Sequence, residues 1–258
     1  MRRFVPVAVL CLLFACKKDA AVNQATPVSD KVLQQIHELG FSNKDVVVHE
    51  DGYLVEGDIV ITEKELGTKP AIQLLRIGGE EQYRTTNLVK GLPRVITVSI
   101  SSDFASSYVS ALDLAISRYN AETLSITFQR VATGGNISIV KGNGNYLASA
   151  GFPTSSGSPY SQIKLNSRAV GNQPRGTVAS IIAHEMGHCI GFRHTDYMNR
   201  SYSCGGSPTN EGASTVGAIL IDGTPAGPDP NSWMLSCIGS GQDRPFNNND
   251  KKALDVLY

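Results

Sequence analysis

The chain carries no surplus of either charge: Lys and Arg together number 23, and so do Asp and Glu. A protein that grips nucleic acid by its phosphates needs a basic excess, so the balance argues against DNA or RNA as a partner. Internal repeats and low-complexity tracts are lacking, which excludes solenoid and fibrous designs. No apolar run is long enough to cross a bilayer. Phe4 to Ala15, interrupted only by Pro6, would reach ~18 Å as a helix against ~30 Å of hydrocarbon. Cysteine is scarce, at five, and so is histidine, also at five. With 258 residues, 41% of them apolar and 18% charged, the composition is that of a globular protein with one good-sized core and a smaller appendage.

Arg2 and Arg3 precede the apolar run, as in an export signal. Leu13-Phe14-Ala15-Cys16 resembles the lipobox of bacterial lipoproteins, which implies lipidation at Cys16. The alternative is cleavage near Ala15 or Ala20 and a freely secreted product. The expected product is exported: lipid-anchored to a bacterial outer membrane or cell surface, or secreted. Its membrane contact is confined to the N-terminal lipid, and a monomer is expected. With Cys11 and Cys16 set aside, Cys189, Cys204 and Cys237 can form at most one intramolecular disulfide. The short loop slightly favours Cys189 with Cys204.

Three segments follow: a signal over 1–15, an N-terminal tether and small unit over 16–84, which the propeptide resemblance described below would make a pro-region, and the main domain over 85–258. Val32, Leu33, Ile36 and Leu39 recur at helical spacing before Gly40. Val46 to Val48 and Tyr53 to Ile61 read as short strands. Residues 62–92 are turn-rich, with Gly67, Pro70, Gly78, Gly79, Gly91 and Pro93. Strands are expected from Arg94 to Ile100, Leu124 to Val131, Asn136 to Val140 and Gln162 to Asn166. A helix capped by Asp103 runs to about Asn120, with Tyr108, Leu112, Ala115 and Tyr119 on one stripe. Thr177 opens another through Ile190. Residues 199–245 lack regular patterning, and a last helix covers Asn249 to Tyr258. The fold class is α+β.

Residues 184–194, HEMGHCIGFRH, hold three of the five histidines. His184 and His188 are four apart, so on a helix both imidazoles leave one face toward a common point. Zinc favours such nitrogen ligands. Glu185 lies about 100° around the helix, where it can reach a water but not join the pair. A straight helix would carry His194 ~9 Å beyond His188, so the chain must turn back, and Gly191 tolerates the positive φ this needs. By composition, His-Glu-x-x-His arises by chance in on the order of a few such chains per thousand, and the added glycine and histidine make coincidence rarer still. His37 and His49 stand alone and suit solvated surface positions.

His184-Glu185-x-x-His188-x-x-Gly191-x-x-His194 resembles the long zinc signature of the metzincin peptidases, and HEMGHCIGFRHTD is most similar to the bacterial dual-action HEIGH metallopeptidases. Ser232-Trp233-Met234 resembles the metzincin Met-turn, and Asp250 to Tyr258 the closing helix. The resemblance spans residues 85–258. It implies a metzincin-like zincin with a twisted mixed sheet, a backing helix, an active-site helix, an irregular C-terminal subdomain and a final helix. It also implies one catalytic Zn2+ on His184, His188 and His194, Glu185 as general base, and hydrolysis of an extended peptide or protein substrate. The stretch Asn145 to Gly151 is the candidate edge for pairing with that substrate. No tyrosine closely follows Met234, so a tyrosine ligand is not expected; Tyr197 and Tyr202 are candidates for a second oxyanion donor, or simply stack in the irregular region.

Val55-Glu56-Gly57-Asp58-Ile59 resembles the propeptide segment of astacin-type enzymes whose aspartate blocks the metal, with Val55 where that family has phenylalanine. Asp58 is thus a candidate latency ligand. Gly57-Asp58 reads equally well as hairpin chemistry between two short strands. Two rival functions stay open: a zinc hydrolase acting on peptidoglycan or modified peptides, and a non-catalytic surface binding module. Retention of Glu185 speaks against the second.

Overall fold

A computed structural model describes residues 27–39, 41–67, 82–208, 210, 218–224 and 229–258. The export segment and Cys16 lie outside these residues, as do residues 68–81 of the turn-rich stretch. Ser29 caps α1 (Asp30–Glu38) through the Val32 amide, and Ile36 is buried as the helical spacing requires. Strands β1 (Val47–His49), β2 (Gly52–Val55) and β3 (Ile59–Ile61) form an antiparallel sheet in that order. The expected run from Tyr53 to Ile61 is therefore two strands around a turn. Glu56, with φ of 53°, and Gly57, with φ of 94°, make that turn. Thr62 and Glu65 cap the short α2 (Glu63–Leu66) reciprocally.

The larger body begins with β4 (Tyr83–Arg84) and β5 (Arg94–Ile100), continues through α3 (Ser106–Asn120), β6 (Ile126–Arg130), β7 (Ile137–Lys141), β8 (Ala148–Ser149) and β9 (Gln162–Leu165), and then α4 (Ser167–Val170) and α5 (Arg175–Ile190). Beyond these come α6 (Ser201–Cys204), β10 (Ile219–Leu220) and α7 (Asn248–Leu257). The main sheet has the order β6-β5-β7-β9-β8, parallel except for β8. Parallel neighbours need a crossover, and α3 supplies it between β5 and β6. The Tyr119 hydroxyl on α3 donates to the Ala183 carbonyl of α5 at 2.8 Å, pinning the two helices together in one core. The expected α+β arrangement is what the chain adopts. No helix among the described residues is long and apolar enough to cross a membrane.

Three local expectations are corrected. Asp103 does not cap α3: its carboxylate accepts from Ser101 Oγ at 3.0 Å, and Ala105 opens the helix without a side-chain cap. Helix α5 starts at Arg175, ahead of Thr177, with Pro174, φ −54°, at its N-cap. The disulfide joins Cys204 to Cys237, whose Cα atoms are 5.1 Å apart, and Cys189 is free. Cys189 sits fully buried on α5, so its position in the helix outweighs the shorter loop.

The N-terminal unit docks by extending the main sheet. The Val60 amide donates to the Ala150 carbonyl at 2.7 Å, and the Ala150 amide to the Asp58 carbonyl at 3.0 Å. The edge foreseen at Asn145 to Gly151 is thus β8 with its continuation, already paired in the parallel sense at Ile59 and Ala150. Lys164 of β9 pairs with Glu50 and Asp51 on the β1–β2 turn, and the rings of Phe41 and Phe152 stack at 5.8 Å. On the far side of residues 68–81, Gln82 Nε2 donates to Asp250 Oδ1 at 2.8 Å and the Arg193 amide to the Tyr83 carbonyl at 2.8 Å. Gln82 and Tyr83 are thereby bound into the body.

Candidate metal centre

Helix α5 is buried along nearly its whole length, so its polar residues face protein rather than water. His184 and His188 leave one face of it as their spacing requires. Between them Gly187 lets the next layer approach: a Cβ there would fall 2.5 Å from the Trp233 ring and 2.6 Å from Met234 Sδ. Those two residues belong to the turn foreseen at Ser232-Trp233-Met234, which the structure lays directly against the helix. The helix ends at Gly191 in the left-handed region, φ 110°, and the chain reverses as the ligand spacing demands. Thr195 then donates its amide to the Met234 carbonyl at 2.9 Å, which anchors the segment carrying His194 to the same turn.

The three imidazole rings converge, with centroids 4.7, 5.3 and 5.0 Å apart. His184 Nδ1 lies 2.9 Å from the Trp233 carbonyl and His188 Nδ1 2.8 Å from that of Phe192. A carbonyl only accepts, so each Nδ1 carries the proton and each Nε2 keeps its lone pair. Both Nε2 atoms are buried without a hydrogen-bond partner. Into the space before them comes Asp58. Its carboxylate lies 3.2 Å from His194 Nε2, 3.5 Å from His184 Nε2 and 4.0 Å from His188 Nε2.

These donors fit a metal. Tetrahedral zinc with bonds near 2.0–2.1 Å sets its ligands about 3.3 Å apart, and the four candidate ligand atoms here all lie within 4.8 Å of one another. Orphaned Nε2 lone pairs aimed at one point, beside a carboxylate, are the donor set that borderline-soft divalent ions take. Burial works against ionisation of Asp58, yet the imidazoles facing it, His194 foremost, hold its carboxyl well below the usual carboxylate range. Burial, with His184 and His194 as neighbours, pushes His188 well below the ordinary imidazole value, which favours the neutral ligand form.

Glu185 is 3% exposed, and its Oε2 has no hydrogen-bond partner. Burial and then the nearby Asp58 charge raise its carboxyl well above normal. Beside it opens a cleft of about 240 Å³ lined by Tyr146, Leu147, Ile181, Trp233, Leu235 and Ile238 among others. It sets an apolar wall beside His184, Glu185 and Asp58.

The structure thus brings together His184, His188, His194, Glu185, Met234 and Asp58. It does not bring the two tyrosine candidates to the site. Tyr197 is buried edge-on against Tyr83, with ring centroids 4.3 Å apart, and Tyr202 is exposed; the stacking alternative describes Tyr197. His37 is exposed as expected, but the His49 side chain is only 6% exposed and lies over Tyr146. Two partnerships escaped the sequence. Tyr146 lines the cleft, and Arg193 makes a fully buried ion pair with Glu56. A charged residue inside an otherwise buried motif was the one available signal for Arg193.

Comparison with known proteins accords with this geometry. Residues 53–258 match the family described as dual-action HEIGH metallo-peptidase. Among solved structures, myroilysin is similar at 15% identity, with 66% of this chain and 82% of that one covered and a TM-score of 0.43. High choriolytic enzyme 1, a hatching enzyme zinc-protease from the medaka fish Oryzias latipes, is similar at 22% identity, covering 63% of this chain and 88% of that one, with a TM-score of 0.36. Likenesses this distant carry no argument about activity or substrate. Among curated proteins none matches the chain.

Proposed function

The chain belongs to the dual-action HEIGH metallopeptidase family, and from that premise we propose that it is a zinc endopeptidase made as a latent precursor. His184, His188 and His194 hold one Zn2+, Glu185 is the general base, Met234 underlies the metal and Asp58 is the latency ligand. The observation that carries this reading is the convergence of the Asp58 carboxylate with three imidazoles whose Nε2 atoms face a common point.

When bound, zinc supplies the Lewis acidity that lowers the pKa of water to about 7 and polarises a carbonyl. The protein's own contribution is placement. The Trp233 and Phe192 carbonyls hold the tautomer and aim of His184 and His188. Glu185 takes a proton from the attacking water and delivers it to the leaving amine. An extended substrate pairs with the backbone of β8 and Ala150, the same edge that Asp58 to Val60 occupy in the precursor. Asp58 therefore excludes both water and substrate. The monomer is exported, tethered by lipid at Cys16 to a bacterial outer membrane or cell surface, or secreted after cleavage.

The test compares digestion of an unfolded protein by four zinc-loaded chains: the intact parent, the parent cut within residues 68–81, intact Asp58→Ala and cut Glu185→Gln. The cut parent and Asp58→Ala are expected to be active and the intact parent silent. Loss of the general base lowers kcat about 10²–10⁴-fold. Equal inactivity of intact parent and Asp58→Ala, with the cut parent active, removes the latency role. Equal rates for cut parent and cut Glu185→Gln remove the base.

A further inference from the structure

Beside the carboxylate that faces the imidazoles, the same turn carries a second one. Glu56 is fully buried, and both of its oxygens accept from Arg193 Nη2, at 2.5 and 2.6 Å. The Ser42 amide donates to Oε1 at 3.1 Å, and the Phe41 ring lies 4.5 Å from the guanidinium carbon. Glu56 adopts a positive φ of 53° to make this contact, a region that non-glycine residues rarely enter. Glu56 stands two residues before Asp58 and Arg193 directly precedes His194, so the ion pair neighbours, along both stretches of chain, the contact between Asp58 and His194.

The contacts named here divide along the chain. Phe41, Ser42 and Glu56 all precede residues 68–81, whereas the carbonyl that holds the Arg193 backbone belongs to Tyr83, which comes after them. A cut in residues 68–81 lets the first group leave and keeps the second. Arginine does not shed its charge by deprotonation, so a guanidinium that has given up a buried carboxylate needs water or another carboxylate in its place. Carboxylate and phosphate oxygens are the groups that match a guanidinium best, and of these a polypeptide's own side chains supply the carboxylate.

We propose that Arg193 is a specificity-determining residue of the processed enzyme and takes an acidic side chain of the substrate where Glu56 lies in the precursor. This rests on the latency reading above. In that light Asp58 occupies the place of the chemistry and Glu56 the place of a recognised side chain. The substrate class is a polypeptide with Asp or Glu a short distance from the scissile bond, aligned on the β8 edge. No covalent step is added.

The experiment uses the full chain cut by limited trypsin digestion at Arg76 and freed of its N-terminal fragment. End-blocked peptide pairs differing by Glu or Gln at each position around one scissile bond are the probes, with a third set carrying a free C-terminal carboxylate. One position is expected to prefer Glu over Gln by about tenfold or more in kcat/KM. In Arg193→Gln that ratio falls to about one, and the change lies in KM. Should Arg193→Gln fail to fold, Arg193→Lys carries the test: it keeps the charge but not the fork, and the ratio drops severalfold. Absence of any acidic preference in the active cut chain, or a preference that survives in Arg193→Gln, overturns the proposal. A preference only for the free C-terminus overturns the side-chain assignment. An intact chain as active as the cut one overturns the latency premise and this proposal with it, whereas a cut that activates without acidic preference overturns this proposal alone.

Discussion

The N-terminal unit and the larger body close their cores in different ways. The body's core runs without interruption from the strands of the main sheet through α3 and α5 to Trp233, Met234 and α7, all from residues beyond Gln82. The N-terminal unit gathers Ile36, Phe41, Val55, Ile59, Ile61 and Leu66, and the cluster is completed by Phe152 of the body. Its second cluster, Leu54 and Val60, needs Tyr146 of the body in the same way. A unit of this size buries too small a share of its surface to be stable alone. The difference suits the two jobs proposed for them: a body that holds a metal site in place, and a blocking segment that stays folded only while docked.

The sharpest test of that contrast is Phe152→Ala, because this ring serves both regions. Truncating a buried Phe costs about 3–5 kcal/mol, and the loss is expected in urea denaturation together with faster proteolysis of residues 27–67. Leu112→Ala, fully buried on α3, costs about 2–5 kcal/mol while leaving the docking of the N-terminal unit intact. If residues 27–67 remain as protected in Phe152→Ala as in Leu112→Ala, the unit closes its own core and the contrast is wrong. Next in size is the Cys204–Cys237 bridge, with a sequence separation of 33. Its removal should lower stability by about 2–4 kcal/mol, read as a drop in Tm on reduction, and the effect should belong to the body alone. The smallest effect is expected at the free edge of β1, where Val48 is 56% exposed. Val48→Thr should stay within about 0.5 kcal/mol; a larger loss would mean that this edge is covered.

How far the site is legible in the sequence varies with how local its determinants are. The pair His184 and His188, the reversal at Gly191 and the return of His194 follow from helical geometry over eleven residues, and the structure repeats that geometry. Asp58 stands between two readings, hairpin and latency ligand. The structure makes the hairpin and also puts its turn at the imidazoles, so the hairpin does not compete with the latency role proposed for Asp58. The disulfide departs from the loop-length expectation because loop length says nothing about which way a helical side chain points. Asp103 fails as a helix cap because a nearby serine competes for its carboxylate.

By itself the sequence determined the class of chemistry, since ligand spacing on one helix and a glycine reversal are short-range facts set by backbone geometry. It likewise determined the alternation and periodicity of most elements, which depend on neighbours along the chain. Only the tertiary structure decided what meets across long separations. Glu56 reaches Arg193, Asp58 faces three histidines, Phe152 closes a core that is not its own, and Cys204 finds Cys237. Those pairings depend on how whole elements pack, and packing is a property of the assembled core that no local pattern encodes.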